Sequence, residues 1–138
     1  MATNSTISLF LEDQNKFMTV YCHSDGYLSW NGNILKEYYT TKEKVKQLLS
    51  YGEMSSLGSK IEPDMDYPHS FEERQKDVTV YYGRDRGETN VEFEILTGKE
   101  LFDDLCEYNY VFMNDEWYII DEDNKEFIKL TDEMIEKD

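Results

Sequence analysis

Proline and cysteine are scarce in this chain, with two of each in 138 residues, and basic residues are few: 14 against 30 acidic ones. Each shortage excludes something. With so little Lys and Arg and a formal charge of −16, the chain lacks the clustered cations that neutralise phosphates, so direct nucleic-acid binding and attachment to an anionic membrane are disfavoured. Cys22 and Cys106 stand alone, without a CxxC partner, and read as reduced core thiols rather than a disulfide or a metal site. Long apolar runs are missing too. The opening MATNSTISLFLEDQ has no basic n-region, and its apolar stretch, Ile7 to Leu11, is broken by Ser8. That is too short for a signal peptide or a membrane span, so the expectation is a cytoplasmic protein. Pro/Ser linkers, internal repeats and low-complexity tracts are absent, and the expectation is a single domain over residues 1–138.

What is abundant is aromatic and acidic. Eleven tyrosines and seven phenylalanines are not the composition of a disordered acidic chain. A chain of this length removes roughly two thirds of its unfolded surface from water, enough for a core without a covalent staple. The acids are unevenly placed: residues 1–90 carry a net −4 and residues 91–138 a net −12, while Arg74, Arg84 and Arg86 all precede that boundary. This asymmetry suggests two faces of one domain.

Hydrophobic periodicity supplies the elements. Residues 6–11 and 17–22 read as a hairpin around a polar turn. Ile34, Leu35 and Tyr38 have helical spacing. Thr40-Thr41-Lys42-Glu43 has the form of a capping box for a second helix carrying Val45, Leu48 and Leu49 and ending at Gly52. Residues 53–76 read as a long loop. Residues 77–82 and 91–96 alternate as strands, the second with Val91, Phe93 and Ile95 inward and its glutamates outward. Thr97-Gly98-Lys99-Glu100 is another capping box, followed by Leu101, Phe102 and Leu105. Residues 108–113 and 116–121 flank Asn114-Asp115, a type I′ hairpin turn, and residues 127–130 complete a meander whose aromatics could seal a homodimer. Residues 131–138 read as a short helix or frayed tail. The sum is an α+β fold: a mainly antiparallel sheet with two to three helices packed on one face.

Three segments could carry chemistry. Tyr21-Cys22-His23-Ser24-Asp25-Gly26-Tyr27 places a histidine and a carboxylate at a strand-to-loop corner, able to act as base, ligand or anion contact. Tyr82-Gly83-Arg84-Asp85-Arg86-Gly87-Glu88 brackets two guanidinium forks with glycines, an arrangement suited to phosphate. It is neither a P-loop nor a dinucleotide fingerprint. His69, in the long loop, would join them if the loop folds over. Zincin, calcium-loop and histidine-phosphoesterase spacings are not spelled out, so neither a metal nor a cofactor is expected. A separate reading rests on the acidic last third. Glu92, Glu94, Asp103, Asp104, Asp121, Glu122 and Asp123 could space carboxylates as phosphates are spaced on a duplex and engage a basic protein surface.

Residues 21–27, residues 38–57 (YYTTKEKVKQLLSYGEMSSL), His69-Ser70-Phe71, residues 81–88 (YYGRDRGE), residues 107–112 (EYNYVF) and Trp117-Tyr118 together resemble a family of small, mostly uncharacterised tailed-phage proteins. Its pattern is CHWDGYP, then a helix ending in GDLSSLG, then HSF, YGRDRGE and a closing EYNYLF. Ser24 stands where that family commonly has Trp, and Leu28 where it has Pro. The resemblance implies, by analogy, a counter-defence role in the host cytoplasm that works by occupying a host component. Three forms follow. One is a non-catalytic protein that sequesters a phosphate-bearing nucleotide immune signal through Tyr21, His23, Asp25, Tyr27, His69, Tyr82, Arg84 and Arg86. Another is an acidic nucleic-acid mimic that binds a host defence nuclease or CRISPR effector. The last is a small nucleotide hydrolase using His23 and Asp25.

Overall fold

The computed structural model describes residues 3–138, and within them a single mixed α+β domain is built on an eight-stranded, mainly antiparallel sheet. The strands are β1 (Ser5–Leu11), β2 (Lys16–Ser24), β3 (Met54–Ser56), β4 (Val80–Tyr81), β5 (Glu94–Leu96), β6 (Tyr108–Met113), β7 (Glu116–Asp121) and β8 (Glu126–Lys129). Their order is β4-β3-β2-β1-β6-β7-β8. The β1–β2 and β6–β7 pairs are antiparallel hairpins, and the sheet is joined at its middle by the parallel pairing of β1 with β6. Both turn residues of β6–β7, Asn114 and Asp115, have positive φ (53° and 60°), as a type I′ turn requires. β2 is the longest strand, and its outer edge is shared: β5 pairs with Phe17–Thr19 and β3 with Cys22–Ser24.

Strand alternation sorts the two faces. Ile7, Leu9, Met18, Val20, Cys22, Tyr110, Phe112 and Trp117 point to one face. There they meet α1 (Asn33–Tyr38), α2 (Lys42–Ser50) and, farther out, α5 (Asp132–Lys137), preceded by a single π-helical turn at Leu28–Gly32. The opposite face is half polar. Thr6 donates to Asn109 (2.8 Å), and Ser8 bonds Thr19 (2.8 Å). A smaller core of Phe17, Val111 and Ile120 is closed by Leu101 of α4 (Gly98–Asp103). The tyrosine-rich composition is explained in the main core. Tyr39, Tyr81 and Tyr110 are fully buried, and each hydroxyl donates to a backbone carbonyl, of Gly58 (2.6 Å), Leu48 and Gly26 (2.6 Å) respectively. Trp117 Nε1 likewise donates to Tyr39 O (2.8 Å). Each ring therefore fills the core while its polar end ties down the backbone of a loop or a helix end.

Four sequence readings need correction. The cap of α2 is Thr41, whose hydroxyl accepts from Lys44 N (3.2 Å), so Thr40 forms no capping box there; the box at Thr97–Glu100 is present. The presumed loop 53–76 contains β3, too short at three residues to show alternation. The arginine loop is a helical turn, α3 (Tyr82–Arg86), ended by Gly87 in the left-handed region. Residues 91–96 form a strand only at Glu94–Leu96, and Phe93 and Ile95 remain 36% and 41% exposed. The physical reason is the partial edge of β2: Leu96 pairs with Phe17 and packs into the second core, whereas Ile95, one residue earlier, faces the other way.

Gly52 carries α2 into β3 with φ +87°, and a Cβ there would lie 2.2 Å from Val91 O, the acceptor of the Glu53 amide. Gly87 has a similar φ of +78° but open space around it. Gly87→Ala should therefore cost about 1 kcal/mol, the left-handed conformation alone, and Gly52→Ala more than about 2 kcal/mol, because backbone must also move. Urea-unfolding midpoints of the two variants check the difference.

Candidate functional site

Of the predicted site residues, Arg84, His69 and the intervening Asp85 do converge, but on one another. Arg84 Nε donates to Asp85 Oδ1 (2.9 Å) and Nη2 to Oδ2 (3.1 Å); Nη1 donates to Ile61 O (2.7 Å) and Nη2 also to Thr79 O (2.8 Å). The guanidinium lies 4.7 Å from the centroid of Tyr81 and 5.1 Å from that of Tyr51. The fork expected to grip a phosphate is thus occupied by a carboxylate, two carbonyls and two rings. Asp85, whose side chain is 4% exposed, also accepts from the Tyr81 amide (2.8 Å). Burial alone would push its carboxyl up. The hydrogen bonds from Arg84 and the Tyr81 amide, with the charge of Arg84, outweigh that and hold it below the ordinary carboxylate range.

His69 is equally committed. Its Nδ1 accepts from the Gln75 amide (3.1 Å), so Nδ1 carries no proton and Nε2 does. Nε2 faces Asp85 Oδ1 at 3.3 Å, without the alignment of a full hydrogen bond, and the side chain is 4% exposed. Neither nitrogen is available to take a proton from a substrate.

The remaining predicted residues lie in separate places. His23 Nδ1 pairs with the Tyr21 hydroxyl (3.0 Å) on the exposed end of β2. Asp25 lines a cavity of about 510 Å³ beside α1. Tyr27 meets Tyr108 edge-on at 6.3 Å, and Tyr82 packs on Phe71 at 5.7 Å. Arg86 lies 4.7 Å from the Phe71 ring centroid, and so, at 4.6 Å, does Arg74, which the sequence reading left out. His69 and Arg84 line one cavity of about 370 Å³ together with Glu62 and Asp64, and neither His23 nor Arg86 is among its lining residues. Cys22 is fully buried and donates to Ser24 O (3.2 Å); burial pushes its thiol up to about 12, which removes it as a nucleophile.

The acidic residues do assemble. On the polar face of the sheet a groove of about 330 Å³ runs over Thr6, Thr19 and Tyr21 and is lined by Glu53, Glu92, Glu94, Glu100 and Asp104, with no Lys or Arg among its lining residues. These carboxylates come from three stretches: the residue before β3, the approach to and first residue of β5, and α4 with its C-cap. Glu53 was invisible in the sequence, being an isolated acid in an apparent loop. Its carboxyl is raised, first by burial and then by repulsion from Glu94 and Glu88. Glu100 is held ionised by the Thr97 amide (2.9 Å) within the capping box. The other expected acids differ. Asp103 pairs with Lys99 (2.7 Å), and Asp121, with Glu122 and Asp123 after it, organises the β7–β8 turn by accepting from Asn124 Nδ2 (2.8 Å). Among the described residues no three His, Cys, Asp or Glu side chains are arranged so that they could hold a metal ion, and no helix is long and apolar enough to cross a membrane.

Compared with known protein families, curated proteins and solved structures, the chain matches none.

Removing Asp85 would leave Arg84 inside without its counter-charge. Asp85→Ala should cost about 3 kcal/mol at pH 7. Because the folded Asp85 is more acidic than the unfolded one, its contribution is complete above the unfolded value and fades as pH falls through the folded one. Wild type and variant should therefore begin to converge in urea stability once the pH falls below about 4.

Proposed function

We propose that the protein is a non-catalytic inhibitor whose acidic groove occupies the basic, nucleic-acid-binding surface of a host defence nuclease or CRISPR effector. The observation that carries this reading is the groove itself: five carboxylates from three chain segments over a rigid sheet, with no cation among them. Such a surface attracts a cationic partner over several ångströms and discriminates by charge geometry. The resemblance to phage proteins supplies the counter-defence setting. Sequestration of a nucleotide signal is supported by a different observation, Arg74 and Arg86 over one Phe71 ring, with Arg86 only loosely paired to Glu88 (3.6 Å).

An inhibition panel of host nucleases and CRISPR effectors tests the mimic. Inhibition should be relieved by about 0.5 M salt, where screening reaches only about 4 Å, and by the combined Glu53→Gln, Glu92→Gln, Glu94→Gln and Asp104→Asn changes. Inhibition that survives both would overturn the reading. Intact nucleotide released on heating the purified protein would point instead to sequestration.

Glu53 offers a second check. A carboxyl raised in the folded state destabilises that state wherever it is ionised, and the penalty disappears below its unfolded value. Glu53→Gln should therefore raise the melting temperature at pH 7, lose that advantage by about pH 4, and weaken inhibition.

A further inference from the structure

A cavity of about 510 Å³ lies away from the acidic groove, between the π-helical turn with α1 and the segments 56–59 and 74–80. We infer that it is a binding site for an organic cation, an alkylammonium or guanidinium group, received by Trp30 and Tyr38 and neutralised by Asp25, Glu37 and Asp77.

Three observations converge on that chemistry. First, Trp30 and Tyr38 are 54% and 43% exposed at the cavity, although buried positions hold Trp117, Tyr39, Tyr81 and Tyr110 in the same protein. Aromatic faces left open beside carboxylates attract cations through the ring quadrupole, with Trp the strongest. Second, Asp25, Glu37 and Asp77 line the same space, and none of them is ion-paired among the described residues. Third, the cation that does line it, Arg74, is already engaged: it lies over the Phe71 ring, with Nε donating to Phe71 O (2.7 Å) and Nη2 to Ser55 Oγ (3.4 Å). An anion entering here would meet three carboxylates against one engaged guanidinium. The apolar wall of Ile34, Leu57 and Val78 suits the methylene stem that such cations carry. A volume of this size lies within the usual range for small-ligand sites.

The cation could be a free polyamine or a side chain presented by a protein, and calorimetric titration with spermidine and with N-acetyl-arginine methylamide separates these sources. Saturable binding of either at about 1 mM or below is expected, the tighter one naming the source. Two variants test the site. Asp25→Asn with Glu37→Gln and Asp77→Asn removes charge at constant shape, and Asn tolerates the positive φ of 65° at residue 77. Trp30→Ala truncates an exposed ring. Each should weaken binding by at least about tenfold, whereas the groove variant Glu92→Gln/Glu94→Gln should bind as wild type. Binding of neither cation, binding unchanged in both site variants, or equally tight binding of adenosine monophosphate would overturn the assignment. The acidic-groove reading stands or falls separately, since it turns on inhibition and on different residues.

Discussion

Between Gly52 and Asn90 the chain has two short strands and one helical turn, and its conformation depends on the ion pair of Arg84 with Asp85. Two N–H groups of Arg84 hold Asp85 and two more reach residues 61 and 79, while the two oxygens of Asp85 reach residues 69 and 81. The Asp85 carbonyl also accepts from the Phe71 amide (2.9 Å). Backbone carbonyls removed from water need donors, and a loop has no ladder to supply them. A single guanidinium supplies two here while its charge is balanced and its faces are covered by Tyr51 and Tyr81. The β4 edge, the turn after it and the loop carrying His69 are thereby fixed as one unit.

That solution limits what the segment can do. The residue types that suggested an anion site, two arginines and a histidine, are the types that satisfy a buried polar junction. Arg84 and His69 have been taken up by architecture, and Cys22 by the core. Among the groups left facing water are the carboxylates of the groove, the exposed rings and acids beside α1, and the isolated His23 and Arg86. The carboxylates and open rings of these surfaces are complementary to positive charge.

Much of the fold was legible because it repeats local rules. The alternation in Ile7, Leu9, Met18 and Val20, the Asn114-Asp115 turn and the Thr97–Glu100 box each signal their element within a few residues. The irregular half was not legible, because what orders it is non-local: Arg84 binds Ile61 O and Thr79 O, and nothing in YGRDRGE distinguishes a fork turned inward from one turned out. The inward face of residues 91–96 failed for a related reason. Alternation assigns two faces but not which is covered, and at Ile95 the covering stops. The acidic face was half visible. Glu92, Glu94 and Asp104 stood out by local density, whereas Glu53 joins them only because β3 is carried to the same edge of β2.

The parallel contact of β1 with β6 has a consequence for how the chain reaches this state. It joins positions 103 residues apart, as in the Thr6–Asn109 hydrogen bond, and it lies at the middle of the sheet. During synthesis the β1–β2 hairpin emerges before β6 and has no neighbour for its inner edge until the intervening residues have followed. Loop closure over that distance makes the central pairing a late and slow event. Until then β1 is an open edge, and its unpaired amides are exposed to any other strand that arrives first.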